Sequence, residues 1–301
     1  MEQEKITLVD IGARGGLQDQ WKRISSKLNV IMFEADQKEC CALSKRLPHN
    51  FKVIPAAVSD ASGCLPFYLC KKRAVSSAYK PNLDFLKKFN DVDRFTVEKT
   101  VKVKTDTLDH QIKLNKVPTV DFIKIDTQGH ELKILKGARE VLKNTIGAEL
   151  EVSFAEMYSG QSLFHDVDKF MLQHQFTLFD LSLVYWNRHA KDKYHRNKKG
   201  QLVWGDALYL RSPEDIVRSL KSTDKIVKAF TIYNLFGYFD LSSTLLDVAA
   251  ETKVISRSLK ADLRLKLEKD HRKSRLRRIN KDLSKISYWR KGINESLGNR
   301  S

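Results

Sequence analysis

The chain has 301 residues, 42% hydrophobic and 30% charged, a balance that excludes wholesale disorder and leaves room for one large fold with an appendage. The formal net charge of +17 admits nucleic acid, an anionic membrane surface or an acidic glycan as partner. Its distribution is uneven, because between Arg257 and Lys291 14 Lys/Arg stand against 4 Asp/Glu, a net +10 in that segment alone. Four cysteines show neither paired-finger spacing nor the density of a disulfide scaffold, and no apolar run approaches the roughly 20 residues that cross a bilayer. The expectation is a reduced, cytoplasmic protein whose membrane contact, if any, is peripheral at the inner membrane surface.

In chain order, ITLVDIG, NVIMFEAD, FKVIPAAVSD, VDFIKID, TIGAELEVSF and FTLFDLS read as strands. LQDQWKRISSKL, QKECCALSKRL, ELKILKGAREVLK and LFHDVDKFMLQHQ read as the helices between them. Such alternation predicts a doubly wound, mostly parallel α/β sheet. Residues 61 to 105 interrupt the rhythm with CLPFYLC and FTVEKTVKVKT, two extra strands around a loop, and GQLVWGDALYLR reads as a returning strand pair. From Ser212 onward only helices are expected, so the predicted domains are 1–211 and 212–301. Residues 253 to 288 read as one long charged helix, in which Leu259, Leu263, Leu267, Leu276, Ile279, Leu283 and Ile286 form an apolar stripe.

The first strand ends at Asp10, and Gly12, Gly15 and Gly16 follow before a helix-like pattern begins. Glycines at a strand-to-helix turn let backbone N–H groups approach a ligand, because no Cβ intervenes and positive φ costs little. The spacing fails G-x-G-x-x-G, and no G-K-[ST] follows, so neither a dinucleotide loop nor a Walker A loop fits. A carboxylate at the strand end suits a cationic ligand better than a pyrophosphate. The next strand ends at Glu34, 24 residues on, about where such sheets place an acid on ribose hydroxyls. Together these suit S-adenosylmethionine, with Asp10 and the turn near its aminoacyl part and Glu34 on its ribose. The alternative is a plain α/β turn with a surface acid.

With VDIGARGG, FEAD, AAVSD, VDFIKIDTQGHELKILKGA and EVSFAEMYSGQSLFHDVDKFMLQHQFTLFDL in order, the sequence resembles the FkbM family of S-adenosylmethionine-dependent methyltransferases, from about Thr7 to Leu210. The resemblance implies a class I methyltransferase, Rossmann-like fold and O-methylation of a hydroxyl on a sugar or polyketide-like acceptor, with a surface polysaccharide or its precursor as the leading glycan. It carries Asp10, Gly12, Ala13 and Gly16 to the glycine-loop motif and Glu34 to the ribose acid. Asp126 and Glu131 fall on the fourth-strand motif, and Arg14, Asp60 and Asp126 complete the expected cofactor contacts. Arg14 stands where the family often has Asn, with Asp10 as its expected counter-charge. Gln128 stands where an acid is common, which lowers the weight of that position.

Methyl transfer needs the acceptor in line behind the methyl group, and a neutral hydroxyl needs a base within hydrogen-bond reach or a metal that lowers its pKa. Asp126, His130, Glu131 and Glu151 are the catalytic candidates. Asp126 ends a strand at the edge where open α/β sheets bind ligands, and it is equally readable as a helix N-cap. His130 can titrate near neutrality or be a core-satisfied histidine, and Glu131 can be a first-turn acid favoured by the helix dipole. No clustered spacing demands a metal. At the end of the fifth strand and beyond it lie Glu149, Glu151, Glu156, Tyr158, Gln161 and His165, a set suited to sugar hydroxyls, with Glu151 foremost. Residues 61 to 105 are expected to help shape that pocket, and residues 187 to 200 to form a polar hairpin tip.

A basic amphipathic helix suits anionic lipid, the acidic groove of a protein partner, or nucleic acid. Nucleic acid is not expected, because aromatics are sparse among the charges and the Asn-Pro-Pro-aromatic signature of base methylation is missing. A homodimer packed on the leucine stripe is the alternative use of this segment. The competing functional readings are a nucleic-acid methyltransferase and a non-catalytic methyltransferase-like scaffold.

Overall fold

The computed structural model describes residues 5–14, 16–48, 51–189 and 199–275. They divide into two compact units, one ending at Ser212 and one beginning at Pro213. The first is built on a seven-stranded sheet of β1 (Ile6–Ile11), β2 (Leu28–Phe33), β3 (Phe51–Ile54), β7 (Phe122–Ile125), β8 (Gly147–Ser153), β9 (Thr177–Trp186) and β10 (Gln201–Leu210). Their order is β3-β2-β1-β7-β8-β10-β9, and within it β10 alone runs antiparallel to its neighbours. This is the doubly wound, mostly parallel α/β fold that the alternation of strands and helices predicts. The central strands are apolar and buried on both faces, as parallel strands under helices must be.

Flanking the sheet are α1 (Asp19–Lys22), α2 (Gln37–Arg46), α4 (Leu108–Leu114), α5 (Glu131–Lys136), α6 (Arg139–Asn144) and α7 (Phe164–Gln173). On one face Val9, Ile11, Ile123, Ile125 and Leu150 pack with Leu132, Leu135, Phe170 and Met171 of the helices. Burial of this kind contributes roughly 25 cal/mol per Å² of apolar surface and holds the strand ends in register.

Several expected elements are divided in the structure. FKVIPAAVSD breaks at Pro55, which has no N–H for a ladder. Phe51–Ile54 stays in the main sheet, while β4 (Ala57–Ser59) joins β5 (Gly63–Cys70) and β6 (Val97–Thr107) in a three-stranded sheet of order β4-β6-β5. The extra strands expected within residues 61 to 105 thus form a second sheet, with the short α3 (Leu83–Leu86) between them. ELKILKGAREVLK is two helices. They separate at Gly137, where a Cβ would lie 2.1 Å from the Ser59 carbonyl oxygen, so the close approach of β4 leaves room for glycine only. LQDQWKRISSKL is helical only over α1 and a single tight turn at Ser25–Lys27. GQLVWGDALYLR is one strand rather than a pair, and its hairpin partner extends from FTLFDLS to Trp186. Most of the expected hairpin tip, residues 190–198, lies outside the described residues.

The second unit contains α8 (Pro213–Leu220), α9 (Thr223–Phe236), α10 (Phe239–Glu251) and a further helix, α11, described over residues 257–275. Gly237 ends α9 in the left-handed conformation that glycine adopts without strain. The expected continuous helix from 253 is interrupted before residue 257, and its part beyond 275 lies outside the described residues. Leu263 and Leu267 are buried, while Arg264 and Lys260 pair with Asp247 at 2.6 and 2.8 Å. Leu259, the remaining described leucine of the stripe, is half-buried. No helix among the described residues is long and apolar enough to cross a membrane.

Candidate active site

The site lies at the carboxyl ends of β1, β2, β7 and β8, where a doubly wound sheet leaves its crevice. After β1 the chain turns at Gly12, whose φ of +82° favours glycine. Its N–H donates to the Phe33 carbonyl at 3.0 Å, and a Cβ here would lie 2.0 Å from the Asp126 carbonyl oxygen. The loop thus crosses the tip of β7 at a distance that excludes every side chain. Ala13 is buried, and Gly16, also at positive φ, donates to the Ala13 carbonyl at 2.9 Å. Gly15 lies outside the described residues.

A cavity of about 380 Å³ opens beside this turn. Of the residues expected from sequence, Gly12, Arg14, Glu34, Asp126, His130 and Glu151 line it. Asp10, Ala13, Gly16, Asp60 and Glu131 stand behind or beside its walls. Glu34 is buried just past β2, where Oε1 accepts the Asp36 N–H at 2.9 Å and burial pushes its pKa up. Asp36 in turn caps α2 by accepting from the N–H groups of Lys38 and Glu39. Arg14 does not meet Asp10, the counter-charge expected from sequence. Its guanidinium stands 3.5 Å from Asp36 and 3.9 Å from Glu39, across the loop.

Asp10 instead faces Lys124, a residue that sequence reasoning missed. In the parallel registers, Asp10, Lys124 and Glu149 form one row across β1, β7 and β8, so their side chains share a face. Lys124 Nζ lies 3.6 Å from Asp10 and 3.7 Å from Asp126. Burial pushes Asp10 up to about 6 against the opposing pull of Lys124, and its Oδ1 has no hydrogen-bond partner. Glu149 accepts from Gln18 and Gln20 at 2.8 and 3.0 Å. Asp206 of β10, opposite Glu151 in register, is raised to about 6 by burial and the neighbouring carboxylates. A lysine inside the apolar run VDFIKI was the available signal, since buried lysines are nearly always paired.

Gln128, given little weight in the sequence reading, joins the site together. It adopts a left-handed φ of +59°, a strained choice for a side chain of this kind. Its amide donates to Asp126 Oδ1 at 3.1 Å and to the two Glu151 oxygens at 3.0 and 3.1 Å. Tyr158, fully buried, places its hydroxyl 3.1 Å from Gln128 Oε1 and 3.0 Å from the Val75 carbonyl. Burial first, then the charges of Asp126, Glu131 and Asp206, holds Glu151 well above the ordinary carboxylate range.

The remaining candidates have clear local partners. Glu131 accepts from the Thr127 N–H and hydroxyl and from the Gly129 N–H, which ties down the loop that carries Gln128. Burial pushes it up to about 7 despite these donors. Asp126 does not cap α5, since the N-cap position falls on His130. Asp60 accepts from Lys133 at 2.8 Å and from the Ser59 hydroxyl at 3.1 Å. With that hydroxyl proton committed, the Ser59 oxygen takes Nε2–H of His130 at 2.9 Å, and Nδ1 is left as a bare acceptor without a partner. Burial lowers His130 to about 4, so it is neutral at pH 7. Beyond β8, Glu156 and Gln161 accept from Gly160 and Tyr158 N–H groups, and His165 is exposed beside Asp166. Phe154 and Phe164 pack against each other at 5.1 Å. Among the described residues no group of three or more His, Cys, Asp or Glu is arranged to hold a metal.

A family model, the methyltransferase FkbM domain, matches residues 10–178, more than half of the chain. The protein is an FkbM methyltransferase. The fold is that of class I methyltransferases, and the cofactor of the family is S-adenosylmethionine. No curated protein sequence matches the chain. Among solved structures, it is similar to magnesium protoporphyrin IX methyltransferase of Synechocystis PCC 6803 with bound S-adenosylmethionine. That match has 9% identity and a TM-score of 0.36, over 69% of this chain and 71% of that one. It is also similar to 1,6-didemethyltoxoflavin-N1-methyltransferase of Burkholderia thailandensis, at 11% identity and TM-score 0.33, over 69% and 72%. A TehB-like S-adenosylmethionine-dependent methyltransferase of Corynebacterium glutamicum matches at 9% and 0.34, over 69% and 82%.

The residues of this FkbM domain fit the cofactor. Gly12 provides a turn without a Cβ, Glu34 presents a carboxyl to the cavity where β2 ends, and the buried Oδ1 of Asp10, which accepts no hydrogen bond and has only the Lys124 ammonium 3.6 Å away, lies beneath the turn. An acidic face of this kind complements the cationic sulfonium and ammonium groups of the donor.

Proposed function

We propose that this FkbM methyltransferase transfers the methyl group to a hydroxyl of its acceptor, with Glu151 as the base. The observation that carries the reading is the placement of Glu151. Its carboxyl is buried, lines the cavity, and is oriented through both oxygens by the amide of Gln128. A carboxyl whose pKa is raised toward neutrality is the better matched proton acceptor for a hydroxyl.

S-adenosylmethionine, when bound, supplies an electrophilic methyl on a sulfonium. Transfer to the acceptor oxygen would break the methyl carbon–sulfur bond, leave its electrons on sulfur and release S-adenosylhomocysteine. The hydroxyl proton passes to Glu151 and from there to water. Asp10 and Asp126, with Lys124 between them, supply the negative face, and a cation held there shifts Glu151 back toward its ionised form. Gln128 and Tyr158 hold the base in place. The neutral His130, with its bare Nδ1, is a second proton acceptor in the wall.

The resemblance points to the hydroxyl of a sugar, in a glycan or its activated precursor, in a cytoplasmic setting. Association of the basic C-terminal helix with an anionic membrane surface or a protein partner belongs to the same reading. Titration calorimetry with S-adenosylmethionine separates it from the scaffold alternative, which requires no binding. Glu151→Gln then tests the base, with an expected fall in kcat of about 10²- to 10⁴-fold. Thermal stability should change little, because burial already disfavours the charged form of this carboxyl and an amide of the same size replaces it. Unchanged kcat in a folded variant would remove Glu151 from the chemistry.

A further inference from the structure

The cavity does not end at the cofactor residues. Beyond Gln128 and Glu151 it continues between Val75, Phe95, Met157, Trp186 and Trp204, with Arg94 at its side. These walls have separate origins: residues 73–78 and 94–95 belong to the segment between β5 and β6, Met157 follows β8, and the tryptophans come from β9 and β10. Phe95 and Met157 are buried in one apolar cluster with Tyr158, against which Val75, Trp186 and Trp204 pack. The half-buried indoles of Trp186 and Trp204 remain part of the cavity lining.

Arg94 is the cation of this wall whose charge is least committed. Its guanidinium lies over the rings of Phe95 and Trp186, at 4.9 and 5.0 Å from their centroids. Nε is buried without a hydrogen-bond partner, and the paired carboxylate, Asp91, is 3.7 Å away and exposed. Arg73, by contrast, donates to the Cys70 carbonyl at 3.2 Å and pairs with Glu98 at 3.2 Å. A planar guanidinium fixed by two rings and lightly paired is a ready fork for a carboxylate or phosphate.

Of the cavity's other charges, Arg14 stands against Asp36 and Glu39 and Arg73 against Glu98, which leaves two separate groups of opposite sign. Asp126 and Glu151 lie at its floor beside Gln128, and Arg94 lies in the aromatic wall. A ligand with both a hydroxyl and an anionic group has one favourable orientation, with its anion away from the carboxylates and its hydroxyl toward Glu151.

We propose that the acceptor is anionic. Its carboxylate or phosphate is held by Arg94, a flat ring face lies against Trp186 and Trp204, and the reacting hydroxyl is presented to Glu151. This rests on the O-methyl transfer reading and narrows it: a neutral free sugar lacks the group that Arg94 would bind, whereas a phosphorylated sugar and a hydroxylated ring acid both have it.

The test uses the full chain with S-adenosylmethionine and two matched pairs of acceptors, 4-hydroxyphenylacetate with its methyl ester and a hexose 1-phosphate with the free hexose. Binding of the charged members to the S-adenosylhomocysteine complex is followed by tryptophan fluorescence, and transfer by labelled methyl. In the pair that is used, the charged member should exceed the neutral one about 10- to 100-fold in kcat/KM, the range of a charge-assisted hydrogen-bonded contact. The pair that responds identifies the source of the anion. Arg94→Met should close that gap, and Arg94→Lys should restore part of it. Folding of both variants is checked by their affinity for S-adenosylhomocysteine.

Equal use of charged and neutral members, a gap that persists in Arg94→Met, or failure of every charged member to bind would overturn the proposal. Methylation of neutral hydroxyls alone would remove the anion and leave O-methyl transfer standing. Binding of the charged compounds without transfer to any hydroxyl would support the anion site and remove the O-methyl reading.

Discussion

Lys124→Met isolates the charge balance beneath the glycine turn. At an effective dielectric of about 20, an ion pair at 3.6 or 3.7 Å is worth about 4–5 kcal/mol. Release of the lysine's own desolvation cost offsets part of this, and Asp126 is 39% exposed and so screened. The weight therefore falls on Asp10, which is 2% exposed. Removing one partner of a buried pair typically costs about 3–5 kcal/mol, and that is the expected loss at pH 8. Asp10 already has its pKa raised to about 6, and the variant raises it further. A raised carboxyl favours the folded state fully below its unfolded value, and that contribution is lost as pH rises through the folded value. The deficit of the variant should accordingly shrink to about 1–2 kcal/mol at pH 5, where Asp10 is protonated and no longer needs the lysine. Urea unfolding from pH 5 to pH 8 measures this directly, with an unchanged m-value as the check on two-state behaviour. An equal deficit at both ends of the range would refute the assignment of Lys124 as the counter-charge of Asp10.

Two further outcomes follow from the cofactor side of the cavity. Gly12→Ala places a methyl group 2.0 Å from the Asp126 carbonyl oxygen at a φ of +82°, so the turn must move. Calorimetry should show S-adenosylmethionine binding weakened by at least about 100-fold, a cost of roughly 3 kcal/mol. Glu34→Ala removes a carboxyl at the wall and should weaken S-adenosylmethionine about 10- to 100-fold, since a hydrogen bond to a charged group is worth about 1.5–3 kcal/mol. Its melting temperature should change little, because a raised pKa marks a buried acid that the apo fold tolerates rather than needs. A large loss of stability with unchanged affinity would count against the ribose role.

The pattern of the chain made the parallel sheet and the strand-end acids legible, because apolar period and glycine spacing are local signals. Asp10, Glu34, Asp126 and Glu151 stand at strand ends in sequence and in space alike. What could not be read locally depends on register. Lys124 matters because β1 and β7 align it with Asp10, and Asp206 because an antiparallel return places it opposite Glu151. Pro55 divides one apparent strand between two sheets, and the wall joins Phe95 to Trp186 and Trp204 of a strand pair about 90 residues or more further along the chain. The charge of Arg14, for which the sequence offers Asp10 as the offset, is met instead by Asp36 and Glu39, toward which the loop turns its side chain.

Gln128 explains how so many carboxyls coexist at one strand edge. Where the resemblance leads one to expect an acid, this chain has an amide, which donates to Asp126 and Glu151 at once and so replaces repulsion with two hydrogen-bonded contacts. Gln128→Glu would put a third carboxyl about 3 Å from both. Three such groups cannot all ionise, so they must share protons, as closely spaced acids do. The new carboxyl has its pKa raised in the fold, and stability should be near that of the parent at pH 5 and fall progressively toward pH 8. The rising limb of kcat/KM against pH should move upward by about one unit or more, since Glu151 loses the donor that favours its charged form and gains a like charge. Melting curves and rate profiles over the same buffers provide the check. A variant with the parental rate profile and no pH-dependent loss of stability would show that position 128 does not set the protonation of Glu151, and the base would then have to be sought at His130.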